Sequence, residues 1–150
     1  LGDVYKRQAR NIPDHLYIDQ ECSVLDPGLT VFEQTERFNA SHLAEHELKS
    51  ILNRCLFPYE TWDKPCFCLS GGEKIRLLFC CLMIGNNAPD VFILDEPTNN
   101  LDIQSVEIIT AAIKSYRGTV LLISHDHYFV KEIKINRSIK LFDTGSVIKI

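Results

Sequence analysis

No stretch of this 150-residue chain approaches the ~20 consecutive apolar residues that span a bilayer as a helix, and no basic-then-apolar start resembles a secretory signal. A cytoplasmic address without direct membrane insertion is therefore expected. Six cysteines are present, Cys22, Cys55, Cys66, Cys68, Cys80 and Cys81, but they form no repeated CxxC pair. That suggests neither a zinc ribbon nor a framework of secreted disulfides, so reduced, mostly buried thiols are expected. A surplus of positive charge is also lacking. The net charge of −4 and pI near 5.7 argue against a broad basic face for a phosphate backbone. Internal repeats and low-complexity segments are missing too. What is present is an ordinary globular composition, 45% hydrophobic and 24% charged, at a length that supports one domain with a real core.

The first eight residues, Leu1 to Gln8, read like one translated frame of a transposon-based sequencing adapter. They are expected to be an assembly scar fused to a truncated gene, leaving residues 9–150 for fold reasoning.

Along the chain, His15 to Asp19 reads as a short strand ending at Gln20. Thr30 with Glu33 three residues on predicts a capping box and a helix through Phe38. A second helix is predicted from Ser41 to about Leu56, with His42 and His46 sharing a face at i, i+4; that spacing suits a metal pair, but without a nearby third ligand it reads as a solvated face. A third runs from roughly Gly72 to Ile84 and is stopped by Gly85-Asn86-Asn87-Ala88-Pro89. Val91 to Leu94 is a continuous apolar run, the pattern of a central strand covered on both faces of a parallel sheet. A helix from Ile103 to Tyr116, a strand from Thr119 to Ile123 and a terminal hairpin around Asp143-Thr144-Gly145 follow. Alternating strand and helix of this kind means an α/β domain.

Polar groups cluster at three predicted strand ends: Gln20, Asp95-Glu96 and His125. Ligands of open parallel sheets bind beyond the carboxyl ends of their strands. An acidic pair ending a buried strand is costly unless a cation or hydrogen bonds meet it, so Asp95 suits Mg²⁺ coordination and Glu96 suits activation of a water. Alone, the pair reads as two solvated carboxylates. Ser70-Gly71-Gly72 opens a helix whose unpaired N–H groups and positive dipole end would accept an anion, although Ser70 also suits a plain N-cap. Asp95 follows 25 residues after Ser70, and His125 follows 30 after Asp95.

From about Tyr17 to about Phe129 the chain resembles the ATP-binding-cassette ATPases. Leu69-Ser70-Gly71-Gly72-Glu73 is similar to that family's signature motif, Val91 to Glu96 to its Walker B strand, and Leu101-Asp102 to its D-loop. Ser124-His125 is similar to its switch histidine and Gln20 to its Q-loop. The resemblance implies the α/β fold of a P-loop NTPase core, with a mainly parallel sheet and an inserted helical subdomain. The helical subdomain would span about 21–88, the Walker B to switch-histidine core about 89–132, and the terminal hairpin about 133–150. It further implies ATP hydrolysis at a head-to-tail pair of cassettes. Asp95 and Gln20 would sit around Mg²⁺, Glu96 would act as general base, and His125 would contact the γ-phosphate. Ser70, Gly71 and Gly72 would close over nucleotide held by a second cassette, with Asp102 lining the seam. Ser70 to Arg76 (SGGEKIR), Leu94 to Asp102 (LDEPTNNLD) and Ser124 to Phe129 (SHDHYF) resemble the soluble tandem-cassette ABC-F branch. Asn100 departs from the histidine that branch usually carries. Lys74 and Arg76 read as solvated helix charges.

No G-x-x-x-x-G-K-[ST] occurs in the chain, so the loop that grips the β- and γ-phosphates is missing. The 150 residues alone are expected to hydrolyse ATP negligibly, because phosphoryl transfer depends on that positioning. For the parent protein, the resemblance implies an ABC-F ATPase acting on the ribosome in translation or antibiotic protection. An ATPase subunit of a membrane transporter, using the region between Gln20 and Leu69 to grip its partner, is the alternative. A degenerate, non-enzymatic cassette is the third, and the pairing of Asp95, Glu96 and His125 speaks against it.

Overall fold

The computed structural model describes residues 14–19, 22–85, 89–99, 101–141 and 147–149. Residues 1–8, with their expected adapter origin, lie outside these, as do Gln20, Asn100, residues 86–88 of the expected helix stop and the turn at 143–145.

Three strands, β1 (His15–Ile18), β2 (Val91–Asp95) and β3 (Thr119–Ile123), form a parallel sheet in the order β1-β2-β3. Val91 stands opposite both His15 and Thr119, so the strands run in step and their carboxyl ends reach one edge together. Between β1 and β2 lie α1 (Val31–Arg37), α2 (Glu45–Arg54), short 3₁₀ turns at Tyr59–Thr61 and Cys66–Cys68, and α3 (Gly71–Gly85). Helix α4 (Ile103–Ser115) connects β2 to β3, and α5 (His127–Glu132) follows β3. Strands β4 (Ile139–Leu141) and β5 (Val147–Lys149) pair antiparallel, as the hairpin expectation required.

Helix α3 is buried nearly all round, with Leu77, Leu78, Cys80 and Cys81 fully sequestered. It has partners on several sides, because α1, α2 and α4 all pack against it. Phe79 of α3 and Tyr116 at the end of α4 flank Phe92 of β2, with ring centroids 6.4 and 4.3 Å away. These contacts bury Phe92, Leu94 and Ile18 on one face of the sheet. The opposite face is open among the described residues: Tyr17, Leu121 and Ile123 are 48%, 51% and 49% exposed. This corrects the expectation that β2 is covered on both faces. A run of apolar residues reports hydrophobicity at every position and does not tell which face has found a cover.

The capping box at α1 forms as read: Thr30 N–H donates to Glu33, and Glu33 N–H donates to the Thr30 hydroxyl. Helix α2 starts at Glu45 rather than Ser41. The side chain of Asn39 captures both backbone groups of Leu43, at 2.8 and 2.9 Å, and His42 takes a left-handed φ of 53°. That loop holds His42 outside the helix, so it shares no helical face with His46. Five cysteines are buried and reduced, and Cys68 alone is exposed.

Candidate functional site

The sheet ladder itself positions the acidic pair. Asp95 ends β2 opposite Ile123, and the next residue still donates its N–H to the Ile123 carbonyl at 2.9 Å. Glu96 then takes a φ of 48°, and its carbonyl accepts from Asn99 N–H at 3.1 Å to close a turn. A left-handed backbone at a glutamate costs energy and persists only where the surroundings over-determine it, a condition that clusters at functional sites. Its effect here is to swing the Glu96 side chain across the edge of the sheet toward the end of β3. One carboxylate oxygen, Oε2, accepts from His125 N–H at 3.3 Å, and Oε1 lies 3.5 Å from His125 Nε2. Oε1 is buried without a hydrogen-bond partner among the described residues. The imidazole of His125 is 97% exposed.

His125 is held out by the caps on either side of it. Ser124 Oγ accepts from Asp126 N–H, and Asp126 Oδ1 caps α5 by accepting from Tyr128 N–H and Phe129 N–H, all at 3.0 Å. Asp95 projects onto the open face, where Tyr17 Oη donates to its Oδ2 at 3.0 Å. Asp95, Glu96 and His125 are thus brought together at one edge. Gln20, the fourth member of the expected group, lies outside the described residues.

Ser70, Gly71 and Gly72 stand at the start of α3, the first two exposed and Gly72 buried. Ser70 and Glu73 make a capping box: Ser70 N–H donates to Glu73 at 2.8 Å, and Glu73 N–H donates to Ser70 Oγ at 3.2 Å. Ser70 is therefore an N-cap, as the plain reading held, but its own hydroxyl proton remains available to donate. Burial raises the Glu73 carboxyl pKa, yet the Ser70 hydrogen bonds and Lys64 at 3.4 Å outweigh it and the net shift is downward. A Cβ at Gly71 would meet no atom within 4 Å, whereas one at Gly72 would come within 3.1 Å of Leu101 Cδ2. The start of α3 consequently abuts the start of α4. There Asp102 caps α4, accepting from Ser105 N–H and Ser105 Oγ, both at 2.8 Å, and these bonds hold its pKa below the usual carboxylate range.

Arg76 departs from the sequence reading. It is buried rather than solvated, donating from Nη1 to Ser105 Oγ at 3.0 Å, with Asp102 Oδ2 at 3.9 Å and the Phe57 ring 5.1 Å from the guanidinium. It ties the helix that opens at Ser70 to the segment that carries Asp102.

With that geometry in place, the family model described as ABC transporter matches residues 4–99. The chain belongs to the ATP-binding-cassette family. ABC transporter F family member 5 of Arabidopsis thaliana is 41% identical over 142 residues, covering 95% of this chain and 20% of that protein. F family member 2 of the same plant is 46% identical over 99 residues, covering 66% of this chain and 14% of its own length. The cassette is therefore of the ABC-F kind, and the chain spans a fifth or less of these relatives. Among solved structures, the dimeric post-hydrolysis state of an ATP-binding cassette bound to ADP and Pi superposes with a TM-score of 0.60 at 22% identity. That match covers 88% of this chain and 60% of the solved chain, and it establishes the cassette fold.

Among the described residues of this cassette there is no cluster of three or more His, Cys, Asp or Glu able to cage a metal. Magnesium needs no such cage, since it is held by one or two carboxylates together with phosphates and water. Asp95 Oδ1 receives no hydrogen bond among the described residues, and the buried Glu96 Oε1 lacks a donor. The acidic edge therefore fits a hydrated divalent ion and a polarised water. Sequence reasoning missed two contributors in this cassette, Tyr17 and Arg76. Strand alternation carried a faint signal for the first, because Tyr17 lies opposite Ile93 and Asp95 is two residues further along the same face. Helical spacing carried one for the second, since Gly72, Arg76 and Cys80 repeat every four residues along a buried stripe.

Proposed function

We propose that the intact protein bearing this chain is an ABC-F ATPase, cytoplasmic, that hydrolyses ATP where two cassettes meet head to tail and acts on the ribosome. The observation that carries this reading is the convergence of Asp95, Glu96 and His125 at the ends of adjacent parallel strands, with Glu96 on a left-handed backbone. The dimeric, ADP-bound cassette of the same fold supports the paired arrangement. The ribosomal role rests on likeness to the ABC-F branch, and the alternative is an ATPase subunit of a membrane transporter that grips its partner through the region between Gln20 and Leu69.

In this reading Asp95, with Gln20, holds Mg²⁺, which when bound neutralises phosphate charge. Glu96 takes a proton from the attacking water through its unpartnered Oε1. Its carboxylate is kept in place by His125 N–H, and the exposed His125 imidazole reaches out to the γ-phosphate. Ser70, Gly71 and Gly72 supply a hydroxyl proton and helix-end N–H groups to phosphate on the facing cassette, and Asp102 lies at the seam. The helical subdomain covers about 21–88, the core about 89–132 and the hairpin about 133–150, with residues 1–8 of sequencing-adapter origin.

The test is Glu96→Gln in the intact protein. A fall in kcat of at least about 100-fold, with KM for ATP nearly unchanged, is expected for loss of a general base. The isolated 150 residues should show no turnover, since they carry no phosphate-gripping loop. Turnover by the isolated chain that Glu96→Gln abolishes, or an intact variant of undiminished kcat, would overturn the reading.

A further inference from the structure

We propose that Tyr17 is a positioning residue for the metal-binding carboxylate, holding one oxygen of Asp95 so that the other faces the ion. This rests on the reading of Asp95 as a Mg²⁺ ligand. Tyr17 lies on β1 directly opposite Ile93, and Asp95 is the next residue on the same face of β2. A diagonal across neighbouring strands is within reach of a tyrosine, and the phenol oxygen closes it at 3.0 Å on Oδ2.

The surroundings make this bond matter. On the face that carries Asp95, the near neighbours Ile93, Leu121 and Ile123 offer no side-chain donor, and His15 and Thr119 stand at the far end of the strands, opposite Val91. Among the described residues Tyr17 is the one side chain that donates to Asp95. A carboxylate with two equivalent oxygens rotates freely unless one is pinned, and pinning Oδ2 leaves Oδ1 as the oxygen without a protein donor among the described residues. Tyr17 is a poor packing residue for its position, being 48% exposed on the open face, so its ring alone does not account for its hydroxyl. Partners that hydrogen-bond a metal ligand commonly contribute 10-fold to 100-fold in metal affinity (order of magnitude). A half-exposed phenol belongs at the lower end, about 10-fold.

The experiment uses the intact protein, Mn²⁺ as the probe and a non-hydrolysable ATP analogue. Bound Mn²⁺ is counted by electron paramagnetic resonance in wild type, Tyr17→Phe, Asp95→Asn and Leu121→Ala. Metal-free affinity for the analogue is measured alongside. Expected is loss of one Mn²⁺ equivalent in Asp95→Asn and about 10-fold weaker binding of that same equivalent in Tyr17→Phe. Metal-free nucleotide affinity should stay level throughout. Leu121→Ala perturbs the same sheet face at the mirror-image diagonal to Asp95, where no hydrogen bond is made, and should bind Mn²⁺ as wild type does, which separates positioning from general loosening of the sheet. If Asp95→Asn loses the equivalent while Tyr17→Phe matches wild type, the Tyr17 inference fails and the reading of Asp95 survives. If Leu121→Ala weakens Mn²⁺ as much as Tyr17→Phe does, the inference also fails. If Asp95→Asn binds Mn²⁺ normally, the metal reading falls and this inference with it.

Discussion

Gly71 opens α3, where a methyl group would meet nothing within 4 Å, so the fold of this chain gives no reason for a glycine there. Replacing it with alanine removes backbone freedom from the unfolded chain and improves helix propensity, together about 0.5–1 kcal/mol in favour of folding. For a chain of this size that corresponds to a rise in Tm of about 1–4 °C. The intact protein should respond in the opposite sense. If phosphate on a facing cassette approaches the amides at this helix start, a methyl group forced into that contact costs about 1–3 kcal/mol. ATPase kcat should then fall roughly 5-fold to 150-fold. Thermal unfolding of the chain and steady-state turnover of the intact protein read the two effects separately. Gly72→Ala is the internal comparison, since its methyl would press on Leu101 at 3.1 Å and should forfeit the gain in stability. Destabilisation of the chain by Gly71→Ala beyond about 1 kcal/mol, or unchanged turnover in the intact variant, would refute the reasoning.

Two further outcomes follow from the electrostatics and burial. The Glu73 carboxyl is held below its ordinary value of 4.5, so its contribution to stability is complete above that pH and is lost as pH falls through the lower folded-state value. Asp19 and Asp102, also shifted downward, act in the same direction. Urea unfolding between about pH 5 and pH 2 should show a steep loss of stability that is shallower in Glu73→Gln, and equal slopes would contradict the assignment. Brief alkylation of the folded chain should place one label, on exposed Cys68, by peptide mass spectrometry. Buried Cys66, its thiol pKa pushed up to about 11 by desolvation, should stay unlabelled until denaturant is added, and early labelling there would refute the packing around it.

Much of this protein follows from local rules that act within a few residues. The Thr30–Glu33 capping box, the strand from Thr119 to Ile123 and the terminal hairpin all formed where the sequence placed them, because caps, short apolar runs and turn residues act within a few positions. The motifs also disclosed the family, since the residue order around Ser70, Asp95 and His125 is itself the evidence. What was lost to sequence reading needed a third dimension. The onset of α2 moved because Asn39 reaches four residues along to hold Leu43 in a loop. Arg76 changed from a solvent charge to a buried tie because α4 lies against that side of α3 and presents Ser105 to it. The left-handed turn at Glu96 and the phenol of Tyr17 on Asp95 exist only once three parallel strands are in register. The sequence by itself determined which chemistry is present and on which elements. Tertiary structure decided which groups touch, because burial and hydrogen bonding depend on neighbours as far apart in the chain as Tyr17 and Asp95.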